Sequence, residues 1–429
     1  MATFYTKMKE KSKLRQVLQV PVIVAALGYF VDIYDLLLFA IVRIPSLESM
    51  GLKGEDLTHV GLYILDIQMA GLLVGGILWG ILGDKKGRLS VLFGSILIYS
   101  VANILNGMVT TVEQYAILRF VAGIGLAGEL GAGITLVAEI LPKDLRGYGT
   151  TLIASVGVLG AVFANYIAQE FDWRNAYFIG GGLGLSLLIL RVSVFESGIF
   201  LKLKETTASR GNFFLLFSKK ELFFKYLRCI LIGLPIWFVI GSLVFLSPEV
   251  GLTIGIQEKI IAGDAIMYSY IGLCAGDLSS GLLSQYFKSR KKVILVFILM
   301  TFAIMLIYLF APYKSKEMFY LICGGLGFST GYWALFVTVA AEQFGTNIRA
   351  TVATTVPNFV RGSVNLIHPV FLFIKFRTDI LQAGLYVGII VIAIALLALY
   401  RMKETFSKDL NYIEGEEKEE ESQLVYTKG

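Results

Sequence analysis

The sequence predicts an all-α membrane protein with twelve transmembrane helices in two pseudo-symmetric six-helix bundles. Three observations predict it: an apolar composition, twelve long apolar runs, and short motifs that repeat between the two halves. Of the 429 residues, 56% are hydrophobic and 16% are charged, with a mean hydropathy of +0.72. A soluble domain carries about 25% charged residues. The composition therefore excludes a soluble or disordered chain.

Each apolar run reaches the roughly 20 residues that a membrane-spanning helix needs. The first run carries Asp32 and Asp35 and is longer than the core of a signal peptide, so we expect it to stay in the protein. The twelve runs lie at 19–42, 59–82, 89–110, 115–140, 149–170, 175–195, 226–248, 264–287, 292–312, 317–341, 350–374 and 379–401.

Lysine and arginine concentrate in alternate loops. With a cytoplasmic N-terminus, 27 of the 38 basic residues fall in cytoplasmic segments and 8 in outside loops. The positive-inside rule therefore predicts that both termini are cytoplasmic. The lack of a targeting peptide and the usage of Ile, Lys and Phe favour a bacterial inner (plasma) membrane.

A polar stretch divides the chain into two sets of six spans. We expect an N-terminal half at 1–195, a cytoplasmic central loop at 196–225, a C-terminal half at 226–401 and an acidic cytoplasmic tail at 402–429.

Two short patterns recur at one offset, which indicates a duplicated fold. Glu139 precedes Arg146 by seven residues, and Glu342 precedes Arg349 by the same interval. The offset of 203 residues also carries Lys85 and Arg88 onto two more basic residues, Lys288 and Lys291.

Several motifs resemble those of the major facilitator superfamily. Residues 80–88 are similar to its signature loop between spans 2 and 3, Gly-x-Leu-x-Asp-basic-x-Gly-Arg-basic, and depart from it at Leu89. Arg119 with Gly123 and Gly125 resembles the second motif, with Ala127 in place of a third glycine.

Two further motifs extend the resemblance over the whole chain. The Glu139 to Arg146 pattern is similar to the family motif between spans 4 and 5. Residues 196–198, Glu-Ser-Gly, resemble the Glu-Ser-Pro of the sugar-porter-like branch without its proline. The resemblance implies a secondary transporter that works by alternating access, with no enzymatic activity and no cofactor.

The same motifs imply a set of gating residues near the cytoplasmic side. An acid among bases in this loop would hold the cytoplasmic side shut in one state of the transport cycle. The residues implied are Asp84, Lys85, Arg88, Glu139 and Arg146.

Asp32 and Asp35 predict a proton-coupling site on span 1. At i and i+3 they share a helix face, about 60° apart. Burial and like charge both favour a protonated carboxyl group. The stretch 28–35 also resembles Gly-x-x-x-Asp-x-(Phe/Tyr)-Asp of proton symporters for aromatic acids, other organic anions and phosphate. We expect Asp35 to carry the proton and Asp32 to modulate it, and we expect Arg119 and Glu129 of span 4 to belong to the same coupling site. The alternative is an Asp–Arg pair that only holds spans 1 and 4 together.

A polar stripe on span 11 predicts a substrate site. Asn358, Arg361, Asn365 and His368 fall within an arc of about 80° at 100° per residue. The planar guanidinium of Arg361 suits a carboxylate or phosphate. The alternative is that Arg361 pairs with Asp277 of span 8, because charges inside a membrane tend to pair. Further candidates for the cavity wall are Tyr270, which shares a face with Asp277, and Gln68, Asn165, Trp237, Tyr332 and Trp333.

These residues favour proton-coupled uptake of a small carboxylate-bearing solute, such as an organic acid or an amino acid. An exporter of amphiphiles, a sugar or phosphate symporter and a transport-dead membrane sensor remain alternatives. With three cysteines and two histidines, a zinc cluster is not expected. The expected partners are the solute, the proton and the lipid bilayer, without nucleic acid, and we expect a monomer.

Overall fold

The computed structural model describes residues 18–86, 88–129, 141, 146–196 and 213–406. The first six helices are α1 (Val20–Glu48), α2 (Glu55–Lys86), α3 (Arg88–Asn106), α4 (Val112–Leu126), α5 (Arg146–Glu170) and α6 (Trp173–Glu196). They are followed by α7 (Leu215–Ser218), α8 (Lys220–Leu231), α9 (Leu234–Phe238), a π-helical turn (Val239–Val244), α10 (Ser247–Thr253), α11 (Ala262–Tyr286), α12 (Arg290–Phe310), α13 (Lys316–Thr330), α14 (Trp333–Glu342), α15 (Thr346–Gly362), α16 (Val364–Lys375) and α17 (Ile380–Tyr400).

All twelve predicted runs are largely helical where the structure describes them. By length and apolar composition alone, seven of the described helical segments are able to cross a membrane. The other runs miss this criterion because they are short, broken or polar, as in α15, which carries Asn358 and Arg361. The seven segments are Val20–Glu48, Glu55–Leu82, Trp173–Val192, Lys220–Val244, Arg290–Phe310, Lys316–Glu342 and Ile380–Tyr400.

Three of the later runs are interrupted. The seventh changes from α9 into a π-helical turn, the tenth breaks between Thr330 and Trp333, and the eleventh turns at Ser363 between α15 and α16. A break in a membrane helix frees backbone groups, which must then bond inside the protein because lipid offers no partner. These breaks position the site described below.

The first helices pack through glycine. α1 lies on α5, and α2 lies on α4. A methyl group added to Gly71 or Gly123 would come within 2.2 Å of a backbone oxygen of the facing helix. Only glycine permits this approach of two backbones.

Contacts also connect the earlier helices to the later ones. Helix α15 packs on α2, and α11 packs on both α1 and α5. We call the end of the molecule where α1 ends and α2 begins the distal end. There, Arg43 of α1 binds Glu249 of α10, and Lys375 of α16 binds Glu55 of α2.

Candidate transport site

Arg361 is the centre of the candidate site. It is buried near the end of α15, and its guanidinium carbon lies 5.8 Å from the ring centre of Trp237 and 5.5 Å from that of Trp333. Its Nε and Nη1 atoms have no hydrogen-bond partner in the part of the chain that the structure describes. An arginine held between two indole rings with unused donors is suited to bind an anion.

Helix breaks place these three side chains together. Arg361 comes two residues before the α15–α16 turn at Ser363, Trp333 begins α14 after the break in the tenth run, and Trp237 precedes the π-helical turn. Irregular backbone at membrane depth is tolerated where it lines a cavity or is covered by protein. The three breaks therefore converge on the site.

Asp32 of α1 lies within electrostatic range of this arginine. Its carboxyl group is completely buried, and neither oxygen has a hydrogen-bond partner among the described residues. Arg361 is the cation that acts most strongly on Asp32, and it also acts on Tyr29 and Tyr270. Helices α1, α11 and α15 thus bring an acid, two phenols and a guanidinium within electrostatic range of one another.

Arg119 and Asp35 belong to a separate cluster inside α1–α4. Arg119 donates from Nε to Gln68 Oε1 at 3.2 Å, from Nη1 to Asn103 Oδ1 at 3.1 Å and from Nη2 to the backbone oxygen of Asp35 at 3.1 Å. The Asp35 carboxylate lies beside the Asn103 amide without a well-formed hydrogen bond. Arg119 and Asp35 therefore join spans 1 and 4, as the structural alternative expects, but through the backbone oxygen of Asp35 and not through its carboxylate. Gln68, predicted as part of the cavity wall, belongs to this cluster through its hydrogen bond with Arg119 rather than to the surroundings of Arg361.

Glu129 forms a buried ion pair with Arg191 of α6. The sequence predicts that Glu129 acts with Asp32 and Asp35, and no motif in it links Glu129 to Arg191, 62 residues away. Gly28 of α1 packs directly on this pair, since an added methyl group would lie 2.1 Å from Arg191 Nη2 and 2.2 Å from Glu129 Oε1. Close packing against this ion pair therefore explains why glycine stands at the first position of the stretch 28–35.

Asp277 does not pair with Arg361. Its Oδ1 atom accepts a hydrogen bond from the backbone N–H of Ala334 at 2.9 Å, at the start of α14. The break before α14 leaves N–H groups without a helical partner, and a carboxylate is a favoured acceptor there. The sequence-based alternative for Arg361 is wrong for this physical reason.

The polar stripe of span 11 separates in the structure. Asn358 Nδ2 donates to the backbone oxygen of Ala127 at 3.0 Å, Asn365 Nδ2 donates to that of Gly362 at 3.0 Å, and His368 binds Asp66 of α2. Only Arg361 of the four lies between the two indoles. Backbone oxygens accept from the two amides, and Asp66 binds the imidazole, so these three side chains have partners within the protein.

The remaining predicted residues fall in several places. Trp237 and Tyr270 lie at the site, whereas Asn165 of α5 donates to Asp264 of α11 at 3.0 Å, in the contact between earlier and later helices. Tyr332 is buried and donates to the backbone oxygen of Ile232. The gating set lies outside the described side chains: Glu139 falls in a stretch the structure does not describe, and only the backbone is described for Asp84, Lys85, Arg88 and Arg146.

The Arg43–Glu249 pair at the distal end was not anticipated from the sequence. Arg43 Nη1 lies 2.7 Å from Glu249 Oε1, and Thr58 of α2 donates to the same oxygen at 3.1 Å. Burial raises the pKa of Glu249, but the Arg43 guanidinium and these hydrogen bonds outweigh burial and leave the pKa below its ordinary value. These contacts join α1, α2 and α10 at that end.

The sequence matches the profile of the Major Facilitator Superfamily over residues 25–369. The chain belongs to this superfamily. It is therefore a non-enzymatic membrane transport protein with the all-helical fold that the motifs predict.

Several of its relatives are named as transporters of organic acids. A putative niacin/nicotinamide transporter of Bacillus subtilis (strain 168) is 27% identical over 79% of this chain and 84% of its own length. A sialic acid transporter of Escherichia coli (strain K12) is 26% identical over 76% of this chain and 79% of its own. A 4-hydroxybenzoate transporter of Pseudomonas putida is 29% identical over 39% of this chain and 40% of its own.

Proposed function

We propose that this protein takes up a small carboxylate-bearing solute together with a proton. The observation that carries the proposal is Arg361, a buried cation with donors that no described residue uses. A buried arginine without a hydrogen-bonded acid is costly, and an anionic solute would supply the missing acceptor. A charge-assisted hydrogen bond of this kind contributes about 1.5–3 kcal/mol.

A planar aromatic acid fits the site best among carboxylates. The guanidinium lies between two indole rings, and two buried phenols, Tyr29 and Tyr270, lie within its electrostatic range. Aromatic side chains favour aromatic ligands through offset or edge contacts. Relatives named for niacin, benzoate, 4-hydroxybenzoate and gentisate support this choice over an amino acid, a sugar or an amphiphile.

Asp32 is the residue we propose for coupling. Arg361 acts on Asp32 in the absence of solute, so an arriving carboxylate competes with an ionised Asp32 for the same cation. Protonation of Asp32 removes this competition, and solute and proton therefore bind better together than alone. Asp35 contacts a different arginine, which makes it the weaker candidate although the sequence favoured it.

The orientation completes the proposal. With both termini in the cytoplasm of a bacterial inner membrane, the distal end faces outward, and the Arg43–Glu249 contact closes the outer side during alternating access. The motif residues Asp84, Lys85, Arg88, Glu139 and Arg146 would act at the cytoplasmic side of the same cycle, in a monomer.

Uptake into proteoliposomes tests the coupling. With labelled nicotinate or benzoate, Asp32→Asn should lose accumulation driven by a pH gradient and retain exchange of solute at equal pH, because the neutral amide mimics the protonated acid. Asp35→Asn is the matched control on the same helix and should still accumulate solute.

The outcomes separate the alternatives. Accumulation by Asp32→Asn when only a pH gradient is supplied would remove Asp32 from coupling, and loss in Asp35→Asn alone would restore the sequence-based assignment. Binding of sugars but of no carboxylate would overturn the proposed solute class.

A further inference from the structure

The start of α14 has no cap from its own chain segment. Helix α14 begins at Trp333, directly after the break that ends α13 at Thr330. The first backbone N–H groups of a helix have no partner inside the helix, so a side chain just before it usually accepts from them. Tyr332 holds that position, but its hydroxyl group donates to the backbone oxygen of Ile232 at 3.0 Å and does not cap the helix.

Asp277 of α11 supplies the missing acceptor from the facing helix. Its Oδ1 atom accepts a hydrogen bond from the backbone N–H of Ala334 at 2.9 Å, and its carboxylate also lies near the backbone N–H of Trp333. Glycine packing brings it within reach, since a methyl group added to Gly331, in the break, would lie 2.4 Å from the Cα atom of Gly276. The two backbones therefore touch one residue before Asp277.

The first residue of the capped helix carries one of the two indoles at Arg361. Trp333 is buried, and its ring centre lies 5.5 Å from the guanidinium carbon of Arg361. The ring centre of Phe336, one turn later in α14, lies 5.6 Å from that of Trp333. The direction of a side chain follows the backbone of its helix, so a contact that fixes the first turn of α14 also fixes this indole.

We propose that Asp277 is a positioning residue that sets the preference of the site for planar aromatic acids. It acts through the backbone of α14, which places Trp333 beside a solute whose carboxylate binds Arg361. The inference rests on the proposed function, because it requires a carboxylate at Arg361. A well-placed indole favours an aromatic ring over a saturated ring of similar size by about two- to tenfold, through offset or edge contacts. This role depends on the position of the acceptor oxygen of Asp277 and not on its charge.

Two acids of similar size test this role. Benzoate is planar and aromatic, whereas cyclohexanecarboxylate carries the same carboxylate on a saturated ring. Isothermal titration with each acid gives the ratio of their affinities. A loss of stability, or of binding at Arg361 itself, affects both acids alike and leaves the ratio unchanged. In Trp333→Leu the preference for benzoate should fall by about two- to tenfold, because leucine removes the indole.

Opposite substitutions of Asp277 separate the acceptor from the charge. Asp277→Asn keeps an acceptor oxygen in the same place, and asparagine caps a helix about as well as aspartate, so the ratio should stay at the parent value. Asp277→Glu keeps the charge but moves the carboxylate by one methylene group, and the ratio should fall toward that of Trp333→Leu. Asp277→Ala removes the acceptor and should have the same effect. The Asn and Glu variants decide the question by themselves if the Ala variant does not fold.

A double variant and a cap elsewhere in the chain provide the controls. Asp277→Ala combined with Trp333→Leu should give the same ratio as Trp333→Leu alone, because a residue that acts through another has no further effect once the other is removed. Asp379 caps α17 in a similar way, since it accepts a hydrogen bond from the backbone N–H of Gln382 at 2.8 Å. Asp379→Ala removes that cap and should leave the ratio unchanged.

Fluorine NMR follows the indole without a solute. The chain has four tryptophans, so labelling with 5-fluorotryptophan should give four signals, and Trp333→Leu assigns the signal of Trp333. This signal should keep its position in Asp277→Asn and shift in Asp277→Glu, because only the second variant displaces the acceptor at the start of α14.

The outcomes keep this inference apart from the proposed function. If neither acid binds to the parent protein, the proposed function fails, and the role of Asp277 in specificity fails with it. If both acids bind but Asp277→Glu keeps the parent ratio, or Asp277→Asn loses it, only the positioning role is overturned. The parent ratio in Trp333→Leu would overturn that role as well.

Discussion

Arg119 and Arg361 are both buried among apolar helices, yet they have opposite hydrogen-bond surroundings. Arg119 donates to two side chains and one backbone oxygen on three different helices. Arg361 lies between two indoles, and its Nε and Nη1 have no acceptor among the described residues. A satisfied buried arginine holds helices together, whereas an unsatisfied one is suited to a ligand.

The helices around the two arginines differ in the same way. Around Arg119, α1–α4 are continuous where described and approach closely at Gly71 and Gly123. Around Arg361, three runs are broken, and side chains such as Asp277 and His368 bond to the freed backbone groups. Broken helices near the middle of a membrane place binding groups and allow movement.

Exchanging each arginine for methionine gives the largest expected contrast. Arg119→Met leaves three buried acceptors unpaired, at about 1–3 kcal/mol each, and should lower thermal stability strongly. Arg361→Met removes a buried charge without orphaning a described acceptor, so stability should hold while binding of nicotinate or benzoate is lost. Thermal unfolding and equilibrium binding measure the two effects. The comparison fails if Arg361→Met unfolds the protein and Arg119→Met does not.

A smaller change sharpens the role of the guanidinium. Arg361→Lys keeps the charge but loses the planar arrangement of donors, and binding should weaken by about 1.5–3 kcal/mol. Isothermal titration with benzoate measures this loss, with Arg377→Lys as the control at an exposed position. Equal affinities in Arg361→Lys and the parent protein would mean that charge alone recruits the solute.

The smallest effect concerns a third arginine, Arg43, whose acid is partly exposed. The folded pKa of Glu249 is lowered, so its contribution to stability is present above the ordinary glutamate value and is lost as pH falls through the folded value. Thermal stability should therefore decline more steeply with acidification in the parent protein than in Glu249→Gln. Glu55→Gln, at a side chain that is 72% exposed, is the control. Parallel acid profiles for the parent and Glu249→Gln would refute this contribution.

The membrane fold could be predicted from the sequence because its determinants are local. Length and apolarity define a span within about 20 residues, and the motif at 80–88 is continuous in the chain. The importance of Asp32, Arg119 and Arg361 was also predictable, since a charge inside an apolar run is costly wherever it points.

Only the tertiary structure decided which partner each charged group meets. From the sequence, the partner of Arg361 is either a solute or Asp277. In the structure, Asp277 instead accepts a hydrogen bond from a backbone N–H at the break before α14. The sequence groups Glu129 with the span 1 acids, whereas in the structure Glu129 forms an ion pair with Arg191 that lies against Gly28. The sequence predicts that His368 belongs to a polar stripe on span 11, whereas in the structure His368 contacts Asp66 and the π-helical turn. Helix periodicity fixes the face on which a side chain lies, but the break positions and the facing helix fix its partner, and both depend on contacts far apart in the chain.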